Sequence, residues 1–157
     1  GKKLTGEHKG KISLSKGNIE VTDGKLTGGN FEIDMTSLVN SDMEGEWKTK
    51  LEGHLKADDF FSADKFPIAT LVITKAELAK DKIYDITANL TIKGITKEIK
   101  FQATVDTGNN RVAAFANLNI DRTLWDIKYG SKKFFPDIAD NMIYDEFNLQ
   151  IKFGAAK

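Results

Sequence analysis

The chain has 157 residues and a mass of 17.4 kDa, enough for one domain with a real hydrophobic core. Lysine plus arginine and aspartate plus glutamate number 23 each, so the formal net charge is zero and the basic footprint of a nucleic-acid binder is missing. Cysteine is absent, which excludes disulfides, thiolate metal sites and a cysteine nucleophile, and no apolar run approaches the roughly 20 residues of a spanning helix, so stable membrane insertion is not expected.

Alternation with a period of two dominates the chain. Leu4, Gly6, His8, Gly10, Ile12 and Leu14 share one parity, which predicts a first strand with one polar face. Lys16-Gly17-Asn18 reads as the turn that ends it. Ile19 and Val21 lead a short strand to Asp23-Gly24, a strong hairpin signal. The next strand runs from about Lys25 to Met35, with Phe31, Ile33 and Met35 on one face. The period then changes. Trp47, Leu51 and Leu55 follow helical spacing, and Ser41 with Glu44 has the form of a capping box, so a helix is predicted over 42–56. Gly45 and Gly53 weaken it by up to about 1 kcal/mol each, so packing of the Trp47/Leu51/Leu55 stripe must hold it.

Pro67 opens a strand over 68–78. Further strands follow over 83–92, 98–106 and 111–121, separated by Lys93-Gly94 and by Thr107-Gly108-Asn109-Asn110. The stretch 122–140 is less regular, and 142–153 closes the chain. The expectation is an all-β fold: a closed antiparallel barrel of about eight strands, or a sandwich, with one intervening α-helix. The alternation is already running at Leu4, which leaves room for an initial strand ahead of this chain. Inward parities mix small and large residues, as in Ala114 and Ala116 before Leu118 and Ile120. That pattern fits a cavity and a filled core equally well.

Candidate chemistry is thin. The two histidines, His8 and His54, lie on or near apolar faces, where hydrogen-bonded structural histidines are common. No third and fourth ligand converge on either, so no metal is expected. Asp58-Asp59 follows the helix and reads as a turn-fixing pair. Asp145 and Glu146 are adjacent on a strand and point to opposite faces, so they cannot share acid–base work. Asp137 and Asp140 lie in the irregular stretch. Two Ser-x-x-Lys matches (Ser13/Lys16 and Ser62/Lys65) lack the companion motifs of penicillin-recognising enzymes. Tyr129 and Lys133 have dehydrogenase spacing without a glycine-rich cofactor loop. Lys132-Lys133-Phe134-Phe135 is too short for a nucleic-acid platform on a neutral chain.

Gly53-His54-Leu55-Lys56-Ala57-Asp58-Asp59-Phe60-Phe61, continuing to Pro67, and Leu90-Thr91-Ile92-Lys93-Gly94-Ile95-Thr96-Lys97 together resemble the signature of the YceI-like family. Leu4 to Gly10, Asn30 to Met35, Ile120 to Ile127 and Asp145 with Phe147 extend the likeness over essentially the whole chain. The resemblance implies a lipocalin-like barrel around an apolar tunnel, with a polyisoprenoid, isoprenoid quinone or other long-chain lipid as partner. It implies no cofactor and no catalysis, export to the bacterial periplasm or beyond, and, since the family often dimerises, a homodimer. The family's usual opening strand, with a Val-Asp step, is absent here.

With no strict ligand motif to carry over, lining residues follow from parity: Ile12, Phe31, Ile33, Ile86, Leu90, Phe101, Val105, Ala116, Leu118 and Phe147. Trp47 and Leu51 on the helix are expected to cover the cavity. A one-residue slip of register would flip any of these strands. Three functions stay open at this point: a lipid carrier, an enzyme using His8 or His54, and a non-catalytic interaction module with a solid interior.

Overall fold

The computed structural model describes residues 1–156. Seven strands form one antiparallel sheet in simple chain order: β3 (Gly10–Thr22), β4 (Lys25–Asn40), β5 (Ile68–Lys80), β6 (Ile83–Ile92), β7 (Ile95–Asp106), β8 (Arg111–Asp121) and β9 (Glu146–Ala156). Ahead of them, β1 (Lys2–Lys3) and β2 (Gly6–Glu7) pair as a small separate ribbon. One helix, α1 (Gly45–Lys56), crosses from β4 to β5 over one end of the barrel.

The turns follow from residue chemistry. Asp23-Gly24 and Lys93-Gly94 both take positive φ at both positions (53° and 75°, 55° and 74°), the geometry that matches strand twist in a two-residue hairpin. Register shifts in the β3–β4 and β5–β6 ladders mark bulges, which raise the local twist and help a long sheet curl. The curl brings β9 back toward β3, so the barrel is nearly closed. No ladder joins β3 to β9 among the described residues.

The predicted inward parities hold on β6 to β9. Tyr84, Ile86, Ala88, Leu90 and Ile92 are all buried, and so are Ala103, Val105, Val112, Ala116 and Ile120. Three expectations fail. Lys16-Gly17-Asn18 is not a turn but the interior of β3, and Gly17 is there because Phe153 and Phe31 occupy the space a side chain would need. The stretch 3–14 is not one strand, because the chain turns between β1 and β2 before β3 begins at Gly10. The helix starts at Gly45 instead of Asp42, and Glu44 at its N-cap makes no side-chain capping bond, so the Ser41/Glu44 box does not form. Asn40 serves there instead: its Oδ1 accepts from the Met43 backbone N–H at 2.9 Å, and its own backbone N–H donates to the Glu52 carboxylate at 2.9 Å.

Candidate functional site

The helix and the segment behind it roof the barrel. Asp58 accepts from Ser62 Oγ at 2.8 Å and from Lys65 Nζ at 2.9 Å, which fixes the turn after α1. That turn drops Phe60, 5 % exposed, and Phe61 toward the interior. Opposite them the chain makes a short 3₁₀ turn, Arg122–Trp125. Asp121 caps it, accepting from the Thr123 amide at 3.0 Å and the Thr123 hydroxyl at 2.6 Å. Trp125, 1 % exposed, donates from Nε1 to the Leu90 carbonyl at 3.0 Å and so ties the turn to β6.

Below this roof lies a cavity of about 460 Å³, within the usual range for small-molecule sites. Its walls are apolar: Ile12, Leu14, Ile33 and Met35 on one side, Ala69, Leu90 and Ile92 on another, and Ile120, Phe147 and Leu149 closing the circuit. Phe31, Leu71 and Ile151 form its floor, since the same three residues also line a void of about 40 Å³ beneath. Both faces of β9 reach the cavity (Phe147, Leu149 and Ile151, but also Asn148, Gln150 and Lys152), as do Gly10, Lys11, Ile12 and Leu14 of β3. The cavity therefore opens sideways through the unpaired β3–β9 seam as well as under the helix.

Of the residues expected from parity, Ile12, Phe31, Ile33, Leu90 and Phe147 line the main cavity, and so does Leu51 of the helix. Ile86, Phe101, Val105 and Ala116 face inward but sit below the floor, around the small void. Leu118 is half-buried against the core and touches neither space. Trp47 is 72 % exposed and does not cover the cavity. Its exposure follows from helix phase, because the face turned to the barrel runs through Lys48, Leu51, Glu52 and Leu55, and Trp47 falls on its flank beneath Lys50, whose ammonium lies 5.1 Å from the ring centroid. Met35, Phe60, Leu71 and Ile120 were missed as lining residues. Met35 and Ile120 continue parities already legible on their strands, whereas the strand of Leu71 is apolar on both alternations and Phe60 lies in a loop with no period to read.

Apart from the polar side chains of the β3–β9 seam, polar groups border the cavity around His8, Asn40, His54 and Arg122. His8 Nδ1 lies 3.3 Å from Asp42 Oδ1, and the Asn40 amide donates to the same carboxylate oxygen at 2.7 Å. These bonds, led by that from Asn40, hold the Asp42 carboxyl below its ordinary value. His54 packs edge-on against Phe60 and Tyr129, at 5.4 and 4.5 Å between ring centroids. Arg122, 2 % exposed, lies 5.2 Å from the Phe60 ring. Its Nε donates to the Tyr144 carbonyl at 3.1 Å, Nη1 to Ile127 at 2.8 Å and Nη2 to Ile143 at 3.1 Å. Burial pushes its guanidinium below the usual value, against the opposing pull of Asp145 and Asp121.

The family model described as a YceI-like domain matches residues 2–155. A UPF0312 protein of Pseudomonas putida strain F1 is 32% identical over 84 residues, which is 48% of this chain and 44% of that protein. A UPF0312 protein of Pectobacterium carotovorum is 45% identical over 51 residues, 32% of this chain and 26% of that one. The matched stretch thus spans less than half of these relatives' own length. Among solved structures, BcnA of Burkholderia cenocepacia superposes with a TM-score of 0.72 at 20% identity, covering 93% of this chain and 84% of that one. The Campylobacter jejuni YceI protein superposes at 0.70 and 21% identity, covering 94% and 84%. At such identities the likeness establishes the fold.

Proposed function

The chain belongs to the YceI-like domain family, and from that premise we propose that it binds one long-chain apolar ligand inside the barrel and carries or sequesters it. The ligand class is a polyisoprenoid, an isoprenoid quinone or a comparable lipid. The observation that carries this reading is the apolar cavity of about 460 Å³ beneath α1, open along the β3–β9 seam. Burying hydrocarbon there is worth about 0.8 kcal/mol per methylene, so affinity needs few polar contacts. A side opening suits a slender chain, which can slide in lengthwise.

The reading is non-enzymatic. His8, bonded to Asp42, and His54, packed against aromatic rings with Asp59 3.9 Å from its Nε2, both line the cavity and on this reading shape its mouth. Among the described residues no helix is long and apolar enough to cross a membrane. Placement in the bacterial periplasm or outside the cell, and a homodimer in solution, belong to the same proposal. Fractionation of the producing cell and light scattering test them.

The direct test is native mass spectrometry of the purified protein, before and after incubation with an isoprenoid quinone or alcohol. One ligand per chain is expected. Protein that comes ligand-free and takes up none of these compounds overturns the reading.

A further inference from the structure

The inward side chains of three strands pass from the main cavity to the small void at one level. On β4, Met35 and Ile33 line the cavity and Phe31 borders both spaces. On β5, Ala69 gives way to Leu71 and then to Ile73, and on β9, Leu149 gives way to Ile151 and then to Phe153. Phe31 and Leu71 are direct cross-strand partners, and both are buried. One layer of side chains thus divides the interior of the barrel. The void beneath it, about 40 Å³, has about the room of one water molecule, too little for a hydrocarbon chain.

Phe31 is the fixed member of that layer. Its ring meets Phe153 edge to face at 5.1 Å between centroids. Gly17 lies opposite it on β3, and Gly29 lies two residues before it on its own strand. A Cβ would come within 3.0 Å of the ring at Gly17 and within 3.4 Å at Gly29, so the ring fills the room that both glycines leave. An interior packed this closely gives the ring no space to swing into. The depth of the cavity is therefore bounded at Phe31, whereas its side stays open along the β3–β9 seam. A chain too long for that depth leaves its surplus carbons in the seam, where they stay wet and add little to affinity.

We propose that Phe31, seated with Leu71 and Ile151, is a chain-length stop that makes the cavity selective for hydrocarbon chains no longer than its depth. This rests on the carrier reading above and adds a specificity-determining residue to it. Phe31 and Asn40 both line the cavity, and the strand between them spans at most about 30 Å, which sets the upper bound on that depth.

The test titrates the intact protein with straight-chain 1-alkanols of about eight to about twenty-six carbons, delivered from cyclodextrin. Affinity is expected to rise about fourfold per added methylene and then to level off at one chain length within the series. Phe31→Ala joins the two spaces and is expected to move that break to chains longer by about two carbons or more. Leu71→Ala, a second cut in the same layer, is expected to move it in the same direction. Ile33→Ala, two residues above the stop on the same strand, is expected to weaken every alkanol and leave the break where it is. All three variants are checked for folding by near-UV circular dichroism. Affinity that climbs through the whole series in the parent protein overturns the stop while the carrier reading stands. A break that stays put in the folded Phe31 and Leu71 variants does the same, and so does one that Ile33→Ala moves equally. Failure of every alkanol to bind tells against the carrier reading itself.

Discussion

The Phe153 ring on β9 fills the place of the side chain that Gly17 on β3 lacks: a Cβ built on Gly17 would lie 2.8 Å from Phe153 Cε2 and 3.0 Å from Phe31 Cδ1. Phe153 and Phe31 meet edge to face at 5.1 Å between centroids. The two end strands of the sheet are thus pinned by side chains at the lower end of the seam, where no backbone ladder joins them. Gly17→Ala forces both rings to move. It is expected to lower stability by about 1–3 kcal/mol, read from the urea midpoint, as for other overpacked sites. An unchanged midpoint would mean that the rings do not close the barrel.

The two helix positions expected to cover the cavity separate cleanly. Leu51 borders the cavity and Trp47 does not. Trp47→Ala is expected to stay within about 0.5 kcal/mol of the parent in stability and to leave binding of a lipid probe unchanged. Leu51→Ala is expected to weaken probe binding several-fold. The two variants, titrated with the same fluorescent fatty acid, check this directly, and a larger loss from Trp47→Ala would contradict the helix phase described here.

Trp125 joins the roof to the barrel by one bond, from Nε1 to the Leu90 carbonyl at 3.0 Å. Trp125→Phe keeps most of the ring and loses that bond, while Leu90 stays paired with Lys97 in the β6–β7 ladder. The expected cost is about 0.5–1.5 kcal/mol, measured by thermal or urea unfolding.

Acid should loosen the end of the barrel where the roof is anchored. Asp42, bonded first by Asn40, and Asp58, bonded first by Lys65, both sit below their ordinary value of 3.8. A carboxyl whose folded pKa is depressed stabilises the fold above its unfolded pKa, and that stabilisation is lost as pH falls through the folded value. Urea midpoints taken from about pH 6 down to about pH 3 should therefore fall below about pH 4, and the fall should be shallower in Asp42→Asn. A midpoint that rises on acidification would contradict the sign.

What the residues disclosed and what they hid divide along a physical line. Strands β6 to β9 alternate strictly because one face packs inward along their whole length, so Tyr84 to Ile92 and Val112 to Ile120 could be read directly. Strand β3 could not, because Gly17 looks like a turn residue until Phe153, far along the chain, is seen to need its space. The expectation for Trp47 failed because a large apolar residue usually marks the buried face, and here that face runs through Lys48, Leu51, Glu52 and Leu55 and leaves Trp47 on its flank. Depth within the barrel was invisible. Ile86, Phe101, Val105 and Ala116 have the same inward parity as Leu90, and only the three-residue floor puts them outside the main cavity. The setting of Arg122 was hidden as well, since it lies in a stretch without period and its partners come from residues 127, 143 and 144.

The central claim is that the space between α1 and the floor at Phe31, Leu71 and Ile151 holds one hydrocarbon chain. Electron density in crystals of the protein purified from its source, with nothing added, tests it most directly. The account predicts a continuous tube of density running from beside Arg122 down to Phe31. Discrete solvent peaks in that space, or side chains of α1 folded in to fill it, would contradict it.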